Sequence, residues 1–325
     1  MILVVGATGQ LGTTVTRGLR QQGRCVRAMV RESSSYTHLE QDGIELCFGD
    51  LRNRDSLLAA CHGIDTVIAT ANAAVPTASG DSFKAVDGEG YRNLIGACQQ
   101  KRVARIIYVS ATLSPFDHKI PIFRQKRLTE RLLKESGLDY TIFRAESFMD
   151  VAFAMMGSDI PIRGAEAATI QRPFWFTSRF FNRIKGDIEQ KGRANIPGSG
   201  TARRSFICID DVAQFVTKSI DLPSARNTIC ALGGPEALSY KEVVAIYEKL
   251  LGRSLKVRHT PAIVFRIAME ILKPFSPAAA DIMGINYLSA TQSSEVEMKE
   301  TAATFGVKLT SAEDFLRNKI VAAAI

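Results

Sequence analysis

A short apolar run, Ile2-Leu3-Val4-Val5, passes without a break into Gly6-Ala7-Thr8-Gly9-Gln10-Leu11-Gly12, and the residues that follow carry the spacing of an amphipathic helix. A strand that turns at once into a helix is tightly constrained at its corner. Gly6 permits the tight turn, Gly9 lets the main chain come close to a ligand, and Gly12 lets the helix pack closely on the strand. The unpaired N–H groups at the helix start then present a partial positive charge, an arrangement suited to the pyrophosphate of a dinucleotide. Thr8, Gln10 and Leu11 complete the loop and are expected to contact the same ligand.

The next 150 residues repeat one rhythm. Strands are expected at Ile2–Val5, Val26–Val30, Glu45–Phe48, Thr66–Ala69, Arg105–Val109 and Asp139–Phe143, separated by helical patterns over Leu11–Gln22, Tyr36–Gln41, Asp55–Cys61, Gly88–Gln100 and Arg124–Ser136. Near-continuous apolarity suits strands covered on both faces, and right-handed crossovers make a doubly wound parallel Rossmann sheet the default solution. Beyond residue 150 the rhythm stops. A strand over Ser205–Ile209 and a helix capped by one of Asp210-Asp211 are expected to return the chain to the sheet. The expected organisation is therefore a dinucleotide-binding domain over residues 1–150, rejoined at about 205–232, with residues 151–204 and 233–325 forming a smaller substrate lobe and lid.

Composition narrows the class. With 46% hydrophobic and 23% charged residues, the chain matches a soluble globular protein. Its net charge of +8 is spread along the chain, with only short clusters such as Arg203-Arg204 and no recognition-helix or zinc-finger spacing, so no nucleic-acid partner is expected. The six cysteines include no C-x-x-C pair and read as small core residues, and no metal site is expected. Met1 leads directly into the first strand and no apolar stretch is long enough to span a bilayer, so a cytoplasmic location is expected. Phe174, Trp175, Phe176, Phe180 and Phe181, interleaved with Arg172, Arg179 and Arg183, suit a lid over an apolar substrate, a peripheral membrane contact or a packed helix face. Both monomer and homodimer remain open.

The second strand ends in Arg31, where a dinucleotide fold that binds NAD places an acid on the ribose hydroxyls. An acid would repel a 2′-phosphate and a guanidinium pairs with it, which favours NADP(H). Gly49-Asp50 ends the third strand and Ala69-Thr70-Ala71-Asn72 ends the fourth, at the carboxyl edge where ligands sit in an open α/β sheet, so Asp50, Leu51, Ala71 and Asn72 are expected at the cofactor. Asp50 is placed to accept from the adenine amino group, or to cap the helix that begins near Asp55.

With the glycine loop, Arg31, Gly49-Asp50-Leu51, Ile106-Ile107-Tyr108-Val109-Ser110-Ala111 and Lys126 to Arg144 in order, the chain resembles the NmrA-like atypical short-chain dehydrogenase/reductases. The most specific piece is Ser136-Gly137-Leu138-Asp139-Tyr140-Thr141-Ile142-Phe143-Arg144, similar to that family's S-G-L-D-Y-T-I-L-R-P segment with Ala145 in place of proline. Phe206 to Ala213 resembles the segment that returns to the cofactor domain. The wider superfamily uses a Y-x-x-x-K pair. Here the tyrosine position is Ile122 and the lysine position is Lys126, as in isoflavone reductase-like relatives that keep only the lysine. The resemblance implies that Lys126 binds the nicotinamide ribose, with Glu130 one turn later able to pair with it. Ser110, Lys126 and His118 are the candidate proton donors. The expected activity is NADPH-dependent reduction of a carbonyl or conjugated double bond in an apolar small molecule held between the two lobes. The alternative is an NADP(H)-sensing regulator or assembly factor that performs no chemistry; a nucleotide-sugar epimerase or dehydratase fits less well without the tyrosine.

Overall fold

In the computed structural model, which describes residues 1–170 and 174–322, the expected alternation is realised strand for strand. It runs β1 (Ile2–Val5), α1 (Gln10–Gln21), β2 (Val26–Val30), α2 (Thr37–Gln41), β3 (Glu45–Phe48), α3 (Arg54–Ala60), β4 (Thr66–Ala69), α4 (Tyr91–Gln100), β5 (Arg105–Ala111), α5 (Pro121–Glu135) and β6 (Asp139–Ala145). Every residue of β1 is buried, as is β5 up to Ser110, because helices cover both faces of the sheet. Pairing is parallel across β3-β2-β1-β4-β5, with Ile2 in register with both Val26 and Thr66. The full order is β3-β2-β1-β4-β5-β6 and then the Thr228–Leu232 strand. The chain is thus a doubly wound α/β protein. Its strand order reverses between β1 and β4, and the carboxyl ends of those two strands are where such a sheet receives its ligand.

Two expected features take a different form. The helix expected from Gly88 begins at Tyr91, preceded by a π-helical segment over Phe83–Gly90 that Ser82 caps through Ala85. Gly88 and Gly90 allow it: a Cβ on Gly90 would stand 2.8 Å from Leu51 Cβ, and one on Gly88 2.8 Å from Gln125 Oε1. π-Helical segments of this kind often accompany functional sites. The second feature is the return strand over Ser205–Ile209, which does not form. Ile207 makes only an isolated bridge to Phe148, Arg203–Arg204 pairs antiparallel with Leu238–Ser239, and the strand that joins the large sheet is Thr228–Leu232. The helix Ile209–Ser219 is not capped by Asp210 or Asp211, which fall inside its first turn. The Asp150 carboxylate accepts from Ile209 N at 2.9 Å instead, and Asp211 accepts from the amide and hydroxyl of Thr310.

The chain divides into two compact units. One comprises Met1–Arg144, Glu166–Arg172 and Val212–Ala231; the other comprises Ala145–Ala165, Pro173–Asp211 and Leu232–Ile325. The second has its own core, in which Phe153 meets Phe206 and Phe315 edge-on beside the buried Tyr247. Its helix Tyr240–Leu251 starts with a reciprocal cap between Ser239 and Glu242. The aromatic stretch forms a helix over Trp175–Ile184, with Phe174 buried and Trp175 and Phe180 exposed. Arg172 and Pro173 lie outside the described residues. The cysteines are not uniformly core residues: Cys61, Cys98 and Cys208 are buried, Cys25 is exposed, and Cys47 and Cys230 are half-buried. Among the described residues no helix is long and apolar enough to cross a membrane.

Candidate functional site

The glycine loop is built as a cradle. Gly6 adopts φ +90°, and a Cβ there would stand 2.6 Å from Ala71 N, so only glycine fits against the end of β4. Gly9 donates to Gly6 O at 3.0 Å, closing the turn, and Thr13 ties the helix to the loop through Ala7 O at 2.9 Å. A Cβ on Gly12 would lie 2.0 Å from Gly6 O, the closest approach of helix to loop. Gly9 is the extended N-cap residue of α1. No side chain caps that helix, and its first turn has no acid to compete with an anion. Amides at such an end are an anion site in waiting. Gln10 and Leu11 open the helix, while Thr8 lies in the loop before it.

The neighbouring strand ends support this loop. Ala71 O accepts the Tyr91 hydroxyl at 2.6 Å, and Asn72 Oδ1 folds back onto Ala74 N at 3.1 Å. Asp50 is not the α3 cap; Asn53 caps it by accepting from Asp55 and Ser56. Arg52 surrounds the Asp50 carboxylate with its backbone N–H (2.8 Å), Nε (3.0 Å) and Nη2 (2.6 Å). Burial alone would raise this carboxyl's pKa, but the Arg52 hydrogen bonds outweigh it and hold the group below its ordinary value. Leu51 is buried beside it.

Arg31 stands at the carboxyl end of β2 with its guanidinium already engaged. Nη1 reaches Asp81 at 2.9 and 3.1 Å and Nη2 donates to the Thr77 hydroxyl, while Arg52 approaches the same Asp81 at 3.5 Å. Asp81 also accepts from the amides of Thr77 and Ala78 at 3.0 Å. Two arginines therefore share one buried carboxylate, and with Asp50 also held by Arg52 the four charges balance.

At the end of β5 the structure gathers a second cluster. Lys126 is buried on α5, with Nζ donating to Val109 O at 2.8 Å and lying 4.9 Å from the centre of the Tyr108 ring. Burial lowers its pKa to about 8, against the opposing pull of Asp87. The expected pairing of Lys126 with Glu130 is not made. Glu130 accepts from Ser110 Oγ at 2.6 Å and Arg144 Nη2 at 2.6 Å, brought to it by the ends of β5 and β6, and from Arg127 Nη1 at 2.5 Å, three residues earlier on α5. Burial pushes the Glu130 carboxyl up, and the bonds from Arg144 and Ser110 bring it below its ordinary value. Ser110 is thus held by a carboxylate, Ile122 is buried, and His118 is exposed on the loop before α5. Removing the shared acceptor strands the Arg144 guanidinium, whereas Arg127 keeps the Asp117 carboxylate at 3.2 Å. Glu130→Ala is expected to cost about 3–5 kcal/mol of stability, with Glu130→Gln in between, measured by urea unfolding.

Sequence reading missed Asp87. The π-helical segment turns it fully inward, where Oδ2 accepts from Ala73 N at 2.8 Å and the backbone carbonyl accepts the Thr129 hydroxyl at 3.1 Å. Among the described residues Oδ1 has no hydrogen-bond partner, and burial raises the carboxyl pKa to about 6 despite the attraction of Lys126. Val86-Asp87-Gly88 reads locally as an ordinary helix start, so no spacing signal marks this residue.

A parallel sheet with an uncapped glycine-rich helix start at its switch point defines a Rossmann-type α/β protein. The profile of the NmrA-like family matches residues 1–316, and the chain belongs to that family. It is 29% identical over 267 residues to the photosystem II assembly factor Ycf39 of Cyanophora paradoxa, covering 82% of this chain and 74% of that protein. It is 23% identical over 340 residues to the phenylcoumaran benzylic ether reductase TP7 of Nicotiana tabacum, covering 97% of each. Among solved structures, the NADPH-dependent quinone oxidoreductase QOR2 of Escherichia coli, complexed with NADPH, superposes with a TM-score of 0.72 at 18% identity, covering 98% of this chain and 100% of that one.

Proposed function

We propose that this chain binds NADP(H) on the glycine loop and acts as a reductase toward a carbonyl or conjugated double bond of an apolar small molecule. The observation that carries the reading is Lys126: a lysine buried at the end of β5, with its pKa brought down to about 8, at the position where the family resemblance puts the catalytic lysine. The cofactor's fit rests on the cradle itself, since the Gly12 position tolerates no Cβ and the α1 amides are uncapped. Bound NADPH supplies a hydride. The loop amides would hold the pyrophosphate, and Arg31, with Arg52 beside it, would take the 2′-phosphate by exchanging part of its contact with Asp81. Lys126 Nζ would hold the proton destined for the substrate oxygen or carbon, so that a reduced carbonyl would leave as an alcohol. A group of pKa about 8 is charged at neutral pH and still acidic enough to give that proton up. The test is NADPH oxidation by the purified protein across a panel of quinones, enones and aryl carbonyls. Tight NADPH binding with no turnover on any of them overturns the reductase reading.

Arg31→Ser should weaken NADPH binding about 10- to 100-fold and leave NADH binding nearly unchanged, the loss expected when one charged hydrogen-bonding partner of a phosphate is removed. Titration of the two cofactors by fluorescence reads this difference directly.

A second reading is an NADP(H)-responsive assembly factor. It is favoured by Ser110 being engaged by Glu130 and by the apolar Ile122 at the tyrosine position, which together withdraw two hydroxyl donors from chemistry. The photosystem II assembly role in the name of the Cyanophora paradoxa relative points the same way. Partners recovered with the tagged protein should then differ between NADP+ and NADPH, and identical partner sets with both would count against it.

A further inference from the structure

The helix Ala262–Leu272 is unusual in having no fully buried residue. One side packs on the helix Pro277–Thr291 through the half-buried Ala262, Phe265, Ala268, Met269 and Leu272. The other side is not polar. Ile263 and Ile267 are each 53% exposed, Ile271 is 61% exposed and Phe275, just past the helix, is 83% exposed, with Val264 beside them. Spacings of four place Ile263, Ile267 and Ile271 on one stripe of the helix. Five of the eleven large apolar side chains that stand exposed among the described residues lie on these thirteen positions. A concentration of this kind marks an interaction surface.

Charge selects the occupant. From Lys256 to Phe275 the chain carries Lys256, Arg258, Arg266 and Lys273, all exposed, against the single acid Glu270. Among the described residues none of these four cations forms an ion pair. An exposed apolar stripe with the cations Arg266 and Lys273 in the same segment, and Lys256 and Arg258 on the strand just before it, matches the interface of an anionic bilayer, where the aliphatic side chains enter the headgroup boundary and the cations meet lipid phosphates. A second copy of the chain would set the same positive excess against itself.

We propose that the Ala262–Phe275 segment is a peripheral docking surface for anionic lipid membranes. This inference concerns a surface in the second unit and does not depend on the chemistry proposed above. The test is co-sedimentation of the full-length protein with vesicles of phosphatidylcholine alone and of equimolar phosphatidylcholine and phosphatidylglycerol. Binding is expected to the anionic vesicles, weakening as salt is raised. Ile267→Glu/Ile271→Glu should reduce it at least about tenfold, since both positions are solvent-exposed and lose their insertion. Arg266→Gln/Lys273→Gln should reduce the preference for phosphatidylglycerol. Unchanged thermal melting and circular dichroism confirm that the variants fold. Equal partitioning with both vesicle types, or no sedimentation with either, overturns the proposal. So does a dimer in sedimentation velocity that Ile267→Glu/Ile271→Glu converts to monomer, because the stripe is then a self-association face.

Discussion

Lys126→Met is expected to lower kcat by about 100- to 10,000-fold, the range removed with a positioned proton donor, while NADPH binding changes far less. The pairing of these outcomes is the informative part, because the α1 amides and Arg31, not Lys126, carry most of the proposed cofactor affinity. Fold stability should not fall with activity. The folded-state pKa of Lys126, about 8, is below its ordinary 10.5, so over that interval the unfolded chain holds the extra proton. Stability contributed at this position therefore rises as pH climbs from 8 toward 10.5, and at neutral pH the buried charge is a penalty. Methionine removes that penalty at similar length, so the melting temperature is expected to hold or rise. Turnover in the wild type should decline as pH rises through about 8, where Nζ loses its proton. Asp87 opposes the effect of burial on Lys126, so Asp87→Asn should move that decline to lower pH. A pH profile that does not move would remove Asp87 from any role in positioning the lysine's charge.

Gly12→Ala should be nearly as severe by a different route. The added Cβ would meet a backbone oxygen at 2.0 Å, so α1 must retreat from the loop and carry its amides with it. Overpacking against main chain sits at or above the usual 1–3 kcal/mol, and for a unit of this size about 3 kcal/mol lowers the melting temperature by roughly 6–12 °C. NADPH affinity is expected to fall at least about 100-fold as a result of the displaced amides. Gly18 on the same helix provides the contrast. A Cβ there meets only Thr217 Cγ2, at 4.0 Å, so Gly18→Ala should leave binding intact and gain up to about 1 kcal/mol from helix propensity. Paired melting curves and cofactor titrations separate the two. Equal behaviour of both variants would mean that the close approach at Gly12 is not what fixes the loop.

What the sequence by itself determined is everything whose physical cause is local or periodic. The β1 strand, the Gly6–Gly12 turn and the α1 helix could be read because turn chemistry and side-chain spacing act over a few residues. The parallel sheet could be read because its strands are apolar on both faces. The Ser205–Ile209 segment misled for the same reason: its apolarity is that of a strand, yet it is buried in the second unit, and only the competition for a place in the sheet gave that place to Thr228–Leu232. Charge partners lay beyond local reading. Helical spacing allowed either Lys126 or Arg127 to pair with Glu130, but folding brought Arg144 and Ser110 to the carboxylate beside Arg127 and left Lys126 with a main-chain carbonyl and the field of Asp87. Arg31 likewise met Asp81 fifty residues away. Electrostatic and hydrogen-bonding groups choose partners by position in space, so tertiary structure alone decided which side chains of this site are engaged and which keep a proton to give.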